Sequence, residues 1–188
     1  MNGKQLKNSI LQWAIQGKLV PQDPNDEPAS VLLERIRAEK ARLVKEKKIK
    51  KDKNESIIYR GDDNSYYEKF IATVEVKCID EEIPFEIPAT WEWCRVGYIF
   101  SHCTGKALNG TNRKGNLYTY ITTSNLYWDR FELSSLKEMY FTEEELGKCT
   151  VTKGDLLVCE GGDIGRSAIW NYNYDVRIQN HIHKMRSY

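Results

Sequence analysis

Pro21-Gln-Asp-Pro-Asn-Asp-Glu-Pro28 sets three prolines among acids and amides, a composition that stops one helix and allows another to start. Upstream, Leu6, Ile10, Leu11, Ala14 and Ile15 recur at steps of three and four, with Lys4, Lys7 and Gln12 elsewhere. That spacing predicts an amphipathic helix. Gly17 suits the position just past its C-terminus, where a left-handed backbone is wanted. Downstream, Pro28 suits a first-turn position, and Asp26 and Glu27 precede it where they complement the helix dipole. Leu32, Ile36 and Leu43, with Leu33 and Val44 beside them, give this second helix a narrow apolar seam running to about Lys51. Its length is then about 36 Å at 1.5 Å per residue. Two helices joined by a short polar loop predict an antiparallel hairpin. So narrow a seam needs something else to pack against.

Residues 52–69 are polar, carry a turn cluster at Gly61–Ser65, and read as a linker. After Phe70 the texture changes, because Val74, Val76 and Cys78 alternate with polar residues as a half-buried strand would. Trp93–Phe100, Leu117–Ile121, Asp155–Cys159, Ser167–Trp170 and Val176–Met185 are short, rich in β-branched and aromatic residues, and bounded by Gly, Asn, Asp or Pro. Thr142–Leu146, with acids in its first turn, reads as a helix among them. The expected fold class is α+β: a helical hairpin over residues 1–55, a linker and first strand over 56–80, and a β-rich mixed domain over 81–188.

At 188 residues, with 40% hydrophobic, 11% aromatic and 29% charged residues, the chain is too apolar to be disordered throughout. No apolar run approaches a membrane span, and Met1–Ile10 lacks the apolar core of a signal peptide. The five cysteines form no C-x-x-C pair and read as reduced thiols of a cytoplasmic protein. The formal net charge of +1 hides an asymmetry. Residues 1–60 hold 14 Lys+Arg against 8 Asp+Glu, and residues 61–188 hold 14 against 19. A basic front of this kind points to a polyanionic or acidic partner.

Several groups of residues could carry chemistry. The run from Arg35 to Lys53 is either a face for phosphates or an acidic surface, or a solvated helix whose cations suit its dipole. The loop from Cys103 to Asn116 holds Lys106, Asn109, Arg113, Lys114 and Asn116 and no acid, and these types reach base edges and phosphates. Gly161-Gly-Asp-Ile-Gly165-Arg-Ser167 fits neither dinucleotide nor P-loop spacing. It is either a β-turn needing glycine or a tight loop presenting Arg166 and Ser167. His181-x-His183 on a strand would put two rings on one face as metal ligands might, without an evident third, while Gln179-Asn180-His181 could equally read bases. The sequence has no G-x-S-x-G and no H-E-x-x-H.

Taken in order, Ile83-Pro-Phe-Glu-Ile-Pro-Ala-Thr-Trp91-Glu-Trp93-Cys-Arg95-Val-Gly97, Thr104-Gly-Lys106, Tyr120-Ile-Thr-Thr-Ser124-Asn125, Lys153-Gly-Asp155-Leu-Leu-Val158, Glu160-Gly-Gly-Asp-Ile-Gly165-Arg166 and Gln179-Asn-His-Ile-His183 make a pattern. With Leu6–Pro21 in front, the chain closely resembles the DNA-specificity subunit of bacterial type I restriction-modification enzymes. The resemblance implies a β-rich target recognition domain reading one half of a bipartite site, and a long helix acting as ruler and docking surface. The 36 Å helix is close to one turn of B-DNA. It implies double-stranded DNA, modification subunits and a restriction subunit as partners, with no membrane. It implies no catalysis and no cofactor in this chain, since S-adenosylmethionine, ATP and Mg would serve the partner subunits. The DNA contacts it implies are Lys106, Asn109, Arg113, Lys114, Asn116, Ser124, Asn125, Arg166, Ser167, Gln179, Asn180 and His181. Leu32, Ile36, Leu43, Arg35 and Arg42 would dock partners. Family members carry two recognition domains, so the resemblance implies a fragment or a half-size subunit pairing with a second copy, its recognition domain incomplete at the C-terminal end. Two rivals stay open: a helical protein-interaction scaffold that ignores DNA, and a metal-dependent nuclease.

Overall fold

The protein's structure, a computed structural model, describes residues 2–108, 111 and 113–188. It is α+β. Its helices are α1 (Gly3–Ile15), α2 (Ala29–Lys45), α3 (Val96–Ile99) and α4 (Glu143–Cys149). The strands are β1 (Ser56–Arg60), β2 (Tyr66–Phe70), β3 (Val76–Cys78), β4 (Phe100–Thr104), β5 (Asn116–Ile121), β6 (Leu126–Tyr127), β7 (Arg130–Phe131), β8 (Lys137–Phe141), β9 (Thr150–Val151), β10 (Leu156–Cys159), β11 (Ser167–Ile169), β12 (Val176–Ile178) and β13 (Ile182–Ser187). The chain divides into two compact units, residues 1–99 with Tyr188, and residues 100–187.

In the first unit both long helices end as their local chemistry requires. α1 opens with a capping box, in which Asn2 Oδ1 accepts from the Gln5 amide at 2.9 Å and Gln5 Oε1 accepts from the Asn2 amide at 2.8 Å. It closes in a Schellman turn with Gly17 left-handed (φ 66°), the Lys18 amide donating to Trp13 O at 2.8 Å. α2 closes the same way, but with a lysine in the left-handed place: Lys47 has φ 58°, and the Lys48 amide donates to Leu43 O at 2.9 Å. The helix is therefore 17 residues and about 26 Å long, not the 36 Å its apolar seam predicts. Lys45, Lys47, Lys48, Lys50 and Lys51 fall three and four apart, and like charges at that spacing oppose a helix.

Leu32 and Arg37 of α2 are exposed. The inward face of the helix keeps most of the expected seam, with Leu33, Ile36, Leu43 and Val44 half-buried, and adds buried Lys40. Tyr98 explains this. Its hydroxyl donates to Leu33 O at 3.2 Å and accepts from Arg37 Nε at 3.1 Å, and its ring lies 4.9 Å from Lys40 Nζ. Lys40, with its long apolar stem, thus occupies a buried position that a hydrophobic count gives to leucine. The polar stretch read as a linker is a hairpin, β1–β2, extended by β3. Tyr59 stacks on Tyr67 across it (centroids 5.8 Å apart), and the Gly61–Ser65 cluster makes the expected turn. β3 is exposed along its length, so the alternation at Val76 and Cys78 marks a strand but no buried face. Trp93–Phe100 is not a strand: it runs into α3, and pairing begins only at Phe100.

The second unit stacks a sheet ordered β11-β10-β13-β4 with one ordered β8-β5-β12-β9, and adds a β6-β7 ribbon. Pairing is antiparallel except between β12 and β5. Ile121, Leu126, Leu157, Trp170, Ile178 and Ile182 form the heart of its core. Val176–Met185, which reads as one stretch, breaks into two strands because Gln179–His181 turn between them. Gly105 has to be glycine here, since a Cβ would meet Ile178 O at 2.1 Å. Asp155, 1% exposed, accepts two bonds of 2.6 Å from Arg186. Lys184 is buried and donates to Lys148 O and Thr150 O at 2.9 and 2.6 Å, placing a cation at the C-terminus of α4.

Candidate nucleic-acid interface

Three turns of the second unit meet at one edge. The first, Thr122–Asn125, is built by a buried amide. Asn125 Oδ1 accepts from the Thr122 amide and hydroxyl (2.9 and 2.8 Å), and Nδ2 donates to Glu132 O and Ser135 O (2.9 and 3.2 Å). With every polar atom of its side chain engaged, Asn125 shapes the turn, and exposed Ser124 is what the turn presents. The second is the β6–β7 turn, whose tip is Trp128-Asp129 with Asp129 left-handed (φ 55°). The third is the glycine loop, residues 160–166, where Gly162 and Gly165 have φ 73° and 88°.

Arg166 holds the three together. Its guanidinium lies 4.9 Å over the Tyr127 ring and donates to Thr123 O at 3.0 Å, with the side chain only 12% exposed. The Asp129 amide donates to Ser167 O at 2.9 Å, tying the second turn to the strand that follows the loop. Arg166 and Ser167 are therefore internal ties, and the loop's outward residues are Asp163 and Ile164. Beside them the Glu160 amide donates to His181 O at 3.0 Å, which brings exposed His181 to the same edge.

The other sequence-chosen residues lie elsewhere or face inward. Lys106 Nζ donates to Tyr140 O and Glu145 Oε2 at 2.8 and 2.6 Å with the side chain 8% exposed, so its charge is engaged within the fold. That bond also holds the Glu145 carboxyl below the usual carboxylate range. Gln179 is buried at the bridge to Lys106, and the Asn180 amide donates to Lys106 O at 2.9 Å. Arg113, Lys114 and Asn116 are exposed at the Asn116 end of β5, about 17 Å along the strand from the Thr122 turn. Asn109 lies outside the described residues. On α2, Arg35 pairs with Glu27 (2.7 Å), Arg42 pairs with Glu39 and Glu46 (2.5 and 2.8 Å), and Ile36 and Leu43 are half-buried.

The expected pairing of His181 with His183 does not form. His181 lies in the turn, and His183 faces His102 on the neighbouring strand, Nδ1 to Nε2 at 2.6 Å, with Glu160 3.1 Å from its other nitrogen. Among the described residues, no group of three or more His, Cys, Asp or Glu is arranged to hold a metal ion. Trp128, Arg130 and Ile164 are exposed at the same edge and were not among the residues the sequence singled out. For Trp128 and Ile164 the signal was a large apolar residue inside a turn, where turn chemistry asks for none.

The electrostatics also differ from the sequence division. The acidic excess of residues 61–188 falls within 61–99, in the first unit, and residues 100–187 hold 11 Lys+Arg against 10 Asp+Glu. The edge where the three turns meet thus belongs to a nearly charge-balanced unit, not an acidic one. No helix among the described residues is long and apolar enough to cross a membrane.

No family model matches the chain. It is 52% identical over 102 residues to the EcoAI type I restriction enzyme specificity subunit of Escherichia coli, a match covering 54% of this chain and 14% of that protein. It is 48% identical over 97 residues to the Escherichia coli EcoEI specificity subunit, covering 52% of this chain and 13% of that protein. The chain therefore matches a small part of the length of these relatives. Over about half of its own length it is similar to type I restriction enzyme specificity subunits, the family its motifs led us to expect.

Proposed function

We propose that this chain recognises DNA sequence as a type I specificity subunit or half-subunit, catalyses nothing itself, and works in the cytoplasm. It would hold modification and restriction subunits on one half of a bipartite site. The observation that carries this is the 52% and 48% identity to two specificity subunits. The geometry supports it. Ser124, Trp128, Arg130, Ile164 and His181 stand on short turns over a packed double sheet, which suits reading base edges without loss of register. Arg113 and Asn116, some way off, suit phosphate or sugar contacts that position the unit. The first unit would dock partners through α2 (Leu32, Ile36, Leu43, Arg35, Arg42), and a second copy of this chain would supply the other half-site. Exposed Leu6, Ile10, Leu11 and Trp13 add α1 to that docking surface. In this assembly S-adenosylmethionine, ATP and Mg act on the partner subunits.

The test is selection. The chain is assembled with its modification subunits and offered a pool of randomised duplexes at fixed salt. A bipartite motif should be enriched, and omitting this chain should abolish enrichment. Enrichment without it, or assembly with no enrichment, refutes the proposal. Assembly without enrichment would favour a scaffold that ignores DNA.

A further inference from the structure

The described edge holds two apolar side chains that neither the core nor hydrogen bonding accounts for. Trp128 is 64% exposed at the β6–β7 tip, and Ile164, at 78%, is the most exposed large hydrophobic side chain among the described residues. Trp128 stands over the residue that follows Ile164: a Cβ added at Gly165 would lie 3.9 Å from the outer edge of its ring. Their backbones are fixed. The Asp129 amide is bonded to Ser167 O (2.9 Å), the Gly165 amide to Cys159 O (3.0 Å), and the Arg166 guanidinium is clamped beneath on Tyr127 and Thr123. Exposed apolar groups on a rigid mount suit insertion into a partner better than closure onto their own protein.

We propose that Trp128, backed by Ile164, is an apolar wedge that stacks on a base-pair step of duplex DNA as the half-site is read. The inference rests on the DNA-reading function above and names its contact. Three observations choose DNA as the occupant. Arg130, two residues on, is exposed and held 4.9 Å over the Tyr127 ring, placing a guanidinium beside the wedge. Asp129 and Asp163 flank the tips and are exposed, Asp163 with the Arg166 guanidinium 3.7 Å from its carboxylate. Carboxylates there repel phosphates but accept from the exocyclic amine of cytosine, so the edge must meet bases and not ride the backbone. Finally, a unit with 11 cations against 10 anions gains little from counterion release, and base stacking supplies affinity without charge.

The experiment uses the chain assembled with modification subunits and a duplex enriched from the randomised pool. Trp128→Ala should weaken binding about tenfold while the slope of log affinity against log salt is unchanged. Trp128→Phe, which keeps a stacking face, should stay within about threefold of wild type. With 2-aminopurine moved through the half-site, wild type should raise its fluorescence at one step, and Trp128→Ala should not. Equal affinity and an equal 2-aminopurine signal for Trp128→Ala overturn the wedge. So does a Trp128→Ala chain that no longer assembles with modification subunits, because the patch is then a protein contact. A wild-type assembly that enriches no duplex overturns DNA reading and the wedge with it. An enriched duplex bound equally by Trp128→Ala overturns the wedge alone.

Discussion

Arg166 shows how a residue expected to contact DNA can instead tie turns together from inside the protein. Its guanidinium is engaged by Tyr127 and Thr123 O, and its Nε is buried without a hydrogen-bond partner among the described residues. Removing it loosens three turns at once. Arg166→Ala should cost about 1.5–3 kcal/mol of stability, the range for a hydrogen bond to a charged group. It should weaken DNA binding with no change in salt slope, since no phosphate contact is lost. Arg113→Ala should behave oppositely, leaving the urea midpoint alone and flattening the salt slope by about one. Titrations at four salt concentrations separate the two. Gly105→Ala is the severe case, because its Cβ would meet backbone that cannot yield. A loss of about 2–3 kcal/mol in urea denaturation is expected.

Elements differ in how far their residues announce them. α1 was legible because Gly17 stands where the left-handed turn falls. α2 was overextended because its lysines continue a helical period that their mutual repulsion ends, and the turn then forces Lys47 to φ 58°. Lys47→Gly should raise stability by about 1 kcal/mol, read as a shifted urea midpoint with unchanged slope. The β1–β2 hairpin escaped notice because its strands carry Tyr, Glu and Lys, and its most deeply buried group is a carboxylate. Glu68 is buried against Ser56 Oγ (2.5 Å) and the Arg95 guanidinium. The Arg95 hydrogen bonds, and after them Ser56, hold its carboxyl below its ordinary value of 4.5, against the opposing effect of burial. A carboxyl depressed in the folded state stabilises fully above its unfolded value and loses that contribution as pH falls through the lower folded value. Unfolding midpoints of the first unit should therefore drop as pH is lowered below about 4.5. Glu68→Gln should show a flatter curve over the same range. At the candidate edge, the turns were legible from Gly, Asn and Asp. Which side chains face outward was not, because Asn125 and Lys106 look like surface residues until their partners are known.

For the whole molecule, the small net charge now has a distribution. The basic stretch 1–60 and the acidic stretch 61–99 offset one another within the first unit, and the second unit is close to balance on its own. Sequence division at residue 60 could not show this, because it cut through a unit that only the fold joins. For DNA binding, that balance implies few phosphate contacts from this chain. Exchanging Arg130 for alanine on top of Arg113→Ala should therefore weaken binding further without flattening the salt slope beyond the change of about one from Arg113. The two ends of the second unit also lie side by side, because Phe100 and Ser187 are register partners in β4 and β13, and the Tyr188 amide returns to Ile99 O at 3.3 Å. Residues 100–187 thus begin and end at a single place. A segment anchored in this way is a cassette: a relative's equivalent piece can be grafted at those two neighbouring positions without rerouting the chain.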